Sequence, residues 1–198
     1  NSGMADYSAY LQNVVTVFMF LFGVNFSLYY LLLLRQFKSV FKNEELRLYE
    51  EPLRPLEAED LARRDELLAR KDYGNEMFRY ARQFAAADTI VVAAPLWDLS
   101  FPSQLKVYIE NIYVTGVVTR YDESGQPVGL CRGEKLYYVS TSGGPFDGRY
   151  GYEYLKSIAT ECFGIPSVQL VTAEGLDIWG NDPEAILQRA IEGLADGK

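Results

Sequence analysis

The stretch from Thr89 to Ile112 constrains this chain more than any other. Thr89-Ile-Val-Val-Ala-Ala94 is a short apolar, β-branched run closed by Pro95. Apolar on both alternations, it reads as a strand covered on both faces. Leu105, Tyr108, Ile109 and Ile112 fall at i, i+3, i+4 and i+7, one face of a helix. Between strand and helix lies Pro95-Leu-Trp-Asp-Leu-Ser-Phe-Pro102. In open α/β sheets, ligands collect beyond the carboxyl ends of the strands. This loop is therefore the first place to look for binding groups.

The same alternation runs through the rest of the second part of the chain. Residues 57–70 are charge-rich and helix-favouring, and Asp72-Tyr-Gly-Asn75 is a turn. Residues 75–87 predict a helix with Met77, Ala81, Phe84 and Ala85 on one face. Thr115 to Leu130 is a glycine-rich excursion with a hairpin turn at Glu123-Ser-Gly125. Lys135–Thr141 reads as a second strand, followed by Ser142-Gly-Gly-Pro145. Residues 151–163 predict a helix with Tyr152, Leu155, Ala159 and Cys162 inward. Ser167–Ala173 reads as a third strand. A final helix runs from Glu184 to Leu194, with Pro183 suited to its first turn. Strands alternating with helices imply an α/β fold with a parallel sheet.

Charge and composition narrow the chemistry. The net charge of −8 argues against general nucleic-acid binding. The chain contains no histidine, which removes Ser-His-Asp and Cys-His catalysis and His-ligated zinc. Its two cysteines, Cys131 and Cys162, have no metal-ligand spacing and read as reduced thiols. Catalysis is left to a cofactor, carboxylates, hydroxyls or backbone groups, with no metal site expected.

The amino-terminal part has a different character. Residues 7–34 carry no charge, and 14 of the 21 residues from Val14 to Leu34 are Leu, Val or Phe. A helix of ~20 such residues spans a bilayer core. Arg35, Lys38 and Lys42 follow it, which puts the carboxyl side in the cytoplasm by the positive-inside rule. The expectation is one transmembrane helix at 14–34, with 1–48 as a membrane-spanning segment and 49–198 as a cytoplasmic domain anchored by it. Residues 1–48, through Asp6-Tyr-Ser-Ala-Tyr-Leu-Gln-Asn13 and the apolar run, resemble one helix of a Trk-type potassium-uptake transporter. That family conducts through glycine-bearing pore loops. No such loop occurs here, so this segment alone is not a potassium pathway.

Residues 49–198 resemble the flavodoxin-like NAD(P)H-dependent FMN oxidoreductases, the azoreductase and quinone-reductase family. The residues that carry the likeness are Ala94 to Lys106, Gly116 to Tyr121, Gly129-Leu-Cys-Arg-Gly-Glu-Lys135 and Ser140-Thr-Ser-Gly-Gly144. The resemblance implies a flavodoxin-like, three-layer parallel sheet. It implies bound FMN, NADH or NADPH as hydride donor, a quinone or azo compound as acceptor, and a homodimer. Carried over position by position, Pro95, Leu96, Trp97, Asp98 and Leu99 contact the flavin edge, and Thr141, Ser142, Gly143 and Gly144 lie beside the ring's polar edge. Tyr121 matches a substrate-side aromatic, while Thr119 stands where many members have an aromatic. No protein side chain is assigned a catalytic role, since the cofactor carries the redox chemistry.

The family's first strand and Ser/Thr-rich phosphate loop are not recognisable in the sequence, so the sheet is expected to be partial. Without a first strand, the strand at 89–94 becomes an apolar edge strand. Two other readings stay open: a transporter fragment fused to an inactive flavodoxin-like domain, and a non-catalytic interaction module.

Overall fold

The computed structural model describes residues 45–196. Its helices are α1 (Ala58–Ala69), α2 (Arg79–Ala86), α3 (Ser103–Ile112), α4 (Tyr152–Ser157) and α5 (Pro183–Asp196). Its strands are β1 (Thr89–Ala93), β2 (Thr119–Tyr121), β3 (Pro127–Gly129), β4 (Lys135–Thr141) and β5 (Ser167–Ala173). Within the described residues β1, β4 and β5 form a parallel sheet in that order, with β1 and β5 outermost. Ile90 pairs with Leu136, and Tyr138 with Leu170.

Burial follows the strand period. Leu136 and Tyr138 point into the main core, while Val139, one residue on, is buried outside that cluster. Helices α2, α3 and α4 cover the core face. Tyr80 and Phe84 of α2 meet Tyr108 of α3 edge-on, and Phe84 meets Phe163 at 5.3 Å. On α3 the periodic residues Leu105, Ile109 and Ile112 are buried as their spacing predicts. The charged α1 buries Leu67, and its Arg64 reaches the last carbonyls of α3 at Glu110 and Asn111. A cation there complements the carbonyl end of that helix.

Two helices depart from their expected form. The helix predicted over 75–87 begins as a 3-10 turn, Glu76–Phe78, capped by the Asn75 side chain on the Met77 N–H. The tighter winding buries Phe78 and leaves Met77 half-buried. The helix predicted over 151–163 continues past α4 as a π turn, Ile158–Phe163, ended by Gly164 at φ 78°. The wider winding carries Phe163 inward and leaves Cys162, expected inward, half-exposed. Both cysteines are free thiols.

The expected membrane span at 14–34 lies outside the described residues. Among the described residues no helix is long and apolar enough to cross a membrane. The longest, α5, has 14 residues. At ~1.5 Å per residue that falls well short of a hydrocarbon core of ~30 Å.

Candidate functional site

The chain leaves β1 at the carboxyl edge of the sheet and is at once tied to β4. The Ala94 N–H donates to Val139 O and the Leu96 N–H to Thr141 O. The next four residues close a tight turn in which Trp97 and Ser100 exchange backbone hydrogen bonds at 2.7 and 2.8 Å. Asp98 and Leu99 both take the left-handed region, at φ 49° and 68°. For a residue such as Leu this costs ~1–2 kcal/mol. Trp97, Asp98 and Leu99 stand exposed, and Pro95 and Leu96 half-buried. The turn thus holds an apolar wall in water by a backbone shape that Leu does not prefer.

The second loop is the polar counterpart. Thr141 and Ser142 are buried, and Gly143 and Gly144 half-buried. Ser142 Oγ donates to Gly144 O at 2.8 Å. Thr141 Oγ1, like Tyr138 OH and Ser140 Oγ before it on β4, is buried without a hydrogen-bond partner. An orphaned buried hydroxyl is costly, and a ligand that supplies a partner removes the cost. A side chain at Gly144 would meet no atom within 4 Å, so the backbone there faces open space. Leu96 lies across from these groups, bonded to Thr141 O. The polar atoms, the open backbone and the neighbouring apolar wall fit a planar ring with hydrogen-bonding edges, which is the chemistry of a flavin.

A third loop belongs to this edge, and the sequence reading passed over it. After β5 the Gly175 N–H donates to Gly144 O, Leu176 N–H to Ser142 O and Asp177 N–H to Gly143 O. The Asp177 carboxylate lies so close to Gly143 that a Cβ there would sit 2.3 Å from Oδ2. Glu174 accepts the Phe146 N–H at 2.7 Å and anchors the segment that follows the two glycines. The signal was present: Thr-Ala-Glu-Gly-Leu-Asp177 also follows a strand of the parallel sheet, so the same carboxyl-end rule applies to it. Beyond it, Ser100 Oγ donates to Tyr150 O and joins the first loop to the second. Asp147, chelated by Arg149 on the same rim, is held down to about 2 by that guanidinium.

Tyr121 is elsewhere. It ends β2, in the antiparallel hairpin that follows α3. Leu130 N–H donates to Val118 O, Cys131 N–H to Phe163 O and Arg132 N–H to Ala85 O. Those partners lie where α4 returns and α2 ends, at the amino edge of the sheet. Tyr121 OH lies 3.3 Å from Tyr113 OH, on that same side. Within one chain, then, the fold brings residues 95–99 and 141–144 together and holds Tyr121 apart from them. Thr119 is fully buried in the hairpin. A cavity of about 590 Å³ opens between β5 and α5, lined by Glu174, Asp182 and Arg189 among others. It includes none of the loop residues at 95–99 or 141–144. The loops are favoured over it as the site because they combine the strand ends, the orphaned hydroxyl and the open backbone.

A parallel sheet with a binding edge of this kind defines a flavodoxin-like α/β protein, and a family profile described as a flavodoxin-like fold matches residues 30–196. The chain is 44% identical over 124 residues to an FMN-dependent NADH:quinone oxidoreductase 2 of Clostridium acetobutylicum, covering 60% of this chain and 61% of that one. It is 37% identical to an FMN-dependent NADH:quinone oxidoreductase of Clostridium perfringens, covering 74% and 75% of the two chains. It superposes on an FMN-dependent NADH-azoreductase of Bacillus anthracis, solved in complex with FMN, with a TM-score of 0.67 and 26% identity, covering 83% and 85%. The chain belongs to the flavodoxin-like family and, within it, to the FMN-dependent NADH:quinone oxidoreductases and azoreductases, a family of oxidoreductase enzymes.

This membership corrects the localisation expected above. The family match starts at residue 30, inside the apolar run read as a span, and continues through the basic flank. With no described helix able to cross a membrane, the expected anchoring of the domain is not upheld. Hydropathy alone does not decide between the two, because a buried segment of an α/β domain is as apolar as a membrane one.

Proposed function

We propose that this chain is an FMN-dependent NADH oxidoreductase acting on quinone or azo compounds. The observation that carries the reading is the pairing of loops at the carboxyl ends of β1 and β4: an exposed apolar turn beside a glycine-bearing polar loop whose backbone opens to free space at Gly144. Leu96, Trp97 and Leu99 would cover the ring's apolar part, while Pro95 and Asp98 would shape the turn that presents them. Thr141 Oγ1 would find its missing partner on the ring's polar edge. Ser142, Gly143 and Gly144 would let backbone groups come close to that edge, and a Cβ built at Gly144 meets no protein atom within 4 Å, which leaves room for the ring. When bound, FMN supplies the redox chemistry that moves two electrons from NADH to the acceptor. The protein's share is to orient the ring and exclude water from it. The absence of histidine is compatible with this division of labour. Tyr121 belongs to the proposal as an acceptor-side residue only where a second copy of the chain brings it near. The homodimer implied by the resemblance is part of the same reading.

Fluorescence titration of the purified chain with FMN and, in parallel, with riboflavin tests the proposal. Saturable quenching of FMN, followed by bleaching of the bound flavin on anaerobic addition of NADH, is the expected outcome. Tighter binding of FMN than of riboflavin would report a grip on the phosphate. No quenching of either flavin would overturn the reading.

A further inference from the structure

The third loop of the site edge, residues 174–182, does more than brace Gly143. Its first half is zipped to Ser142, Gly143 and Gly144 by the three backbone hydrogen bonds given above. Its second half turns outward. Ile178 N–H donates to Gly175 O, Asn181 N–H to Ile178 O, and Asn181 Nδ2 to Gly175 O at 2.7 Å. Gly175 at φ 74° and Gly180 at φ 88° supply backbone angles that other residues resist. The loop is thus closed on itself, with Trp179 at its corner. The Trp179 side chain is 100% exposed, and Ile178 beside it is 47% exposed.

A single exposed apolar residue needs no explanation, but a cluster does. Among the described residues, Trp97, Leu99, Tyr150, Ile178 and Trp179 are five of the ten large exposed hydrophobic residues. All five stand on loops at the carboxyl edge of the sheet. The strand order puts the polar Ser142–Gly144 loop between the loop of Trp97 and the loop of Trp179. Two strand spacings separate those flanks, ~10 Å at their bases. The arrangement is a polar floor between two aromatic walls. Asp98, Asp147, Arg149 and Asp177 interrupt the apolar surface. This broken rim, a polar floor with apolar walls, suits a small planar molecule.

We propose that Trp179, supported by Ile178, forms the acceptor-side wall of the site and sets its preference for planar aromatic acceptors. The inference rests on the reading of the site as a flavin site and adds the residue that selects the second substrate. Stacking on Trp179 holds a quinone ring over the floor that the flavin edge shares. The hydrogen bonds that close the loop hold the backbone that carries Trp179, which lowers the ordering cost of that contact.

The test uses the FMN-loaded full chain, with a 1,4-naphthoquinone as acceptor and NADH as donor. Trp179→Ala raises KM for the quinone about five- to tenfold, more than it lowers kcat, as expected for loss of one aromatic contact. Trp179→Phe restores most of the affinity. Because the chain has 2 tryptophans, Trp97→Phe leaves Trp179 as the sole tryptophan reporter. Its fluorescence is quenched saturably by the quinone, with a midpoint near the KM that the Trp97→Phe variant itself shows. Three results would overturn the proposal. One is a KM within about twofold of the parent in Trp179→Ala. Another is quenching that stays linear, as for free tryptophan. The third is a change of oligomeric state in Trp179→Ala on size exclusion, which assigns the patch to contact between copies. FMN titration and NADH bleaching judge the flavin reading separately. If both succeed and Trp179→Ala changes nothing, only this inference falls; if FMN does not bind, both fall.

Discussion

The two edges of the sheet use glycine for opposite ends. At the amino edge, Gly129 lies against the backbone of the next turn: a Cβ there would sit 2.1 Å from Gly164 N and 2.2 Å from the Phe163 carbonyl carbon. Thr119 and Val118 are fully buried beside it, and the hairpin, the π turn and the end of α2 are bonded into one block. At the carboxyl edge, Gly144 faces nothing within 4 Å, Thr141 Oγ1 has no partner, and the aromatic residues stand in water. One edge is closed by contact; the other keeps room and unspent hydrogen-bonding capacity. The residue type is the same at both, so the difference lies in what faces it. A sheet of parallel strands offers its carboxyl edge to ligands and needs its other edge only for stability.

Breaking the closed edge should have the largest effect. Gly129→Ala forces backbone against backbone, which flexible side chains cannot relieve, and should cost ~2–4 kcal/mol of stability. Urea unfolding monitored by circular dichroism reads this, while the flavin affinity of the folded protein stays close to the parent's. A loss below about 0.5 kcal/mol would mean that the amino edge is not tight.

The open edge should answer in the reverse sense, and its two glycines should differ. Gly143→Ala pushes on the Asp177 carboxylate, the movable end of a side chain, and should cost ~1 kcal/mol of stability. By displacing the third loop it should also weaken FMN about tenfold. Gly144→Ala meets no protein atom and should leave the unfolding midpoint unchanged, yet still weaken FMN, because the added methyl would occupy the space proposed for the ring. Parallel FMN titrations and melts of the two variants sharpen the comparison. Unaltered FMN affinity in both would remove the second loop from the site.

The smallest effect is a dependence on pH at the closed edge. Burial pushes the Cys131 thiol up to about 12, and its Sγ–H donates to Val118 O at 3.7 Å. A thiol in the unfolded chain ionises near ~8.5. The folded value is the higher one, so the folded state favours the neutral thiol. That contribution is complete below the unfolded value and fades as pH rises from there toward 12. Cys131→Ser should therefore flatten the loss of stability between about pH 8.5 and 11, since a hydroxyl does not ionise there. Unfolding midpoints taken across that range check it, and parallel curves for the two proteins would contradict it.

Much of the fold is legible in the sequence. The runs Thr89–Ala93, Lys135–Thr141 and Ser167–Ala173 appear as strands within a residue of where their composition puts them. The hairpin turns at Asp122–Gly125, with Gly125 at φ 79° and Asp122 Oδ1 accepting the Ser124 and Gln126 N–H groups. The loops at 95–99 and 141–144 were placed on one edge by the rule for parallel strands alone. The uncharged amino-terminal run lies outside the described residues, and its apolarity alone does not distinguish lipid from a protein interior.

What sequence by itself determined was therefore local: strand period, helix face, turn residues, and the two loops that follow strands. Tertiary structure decided which loops meet. It zipped residues 174–177 onto Ser142–Gly144, set Tyr121 at the far edge, and shifted the buried position of the π turn from Cys162 to Phe163. The physical reason is range. Periodicity and turn chemistry act over a few residues and can be read along the chain, whereas the contact of Asp177 with Gly143, or of Gly129 with Gly164, depends on strand order. Whether a glycine closes a gap or leaves one open is decided only when a distant segment arrives opposite it.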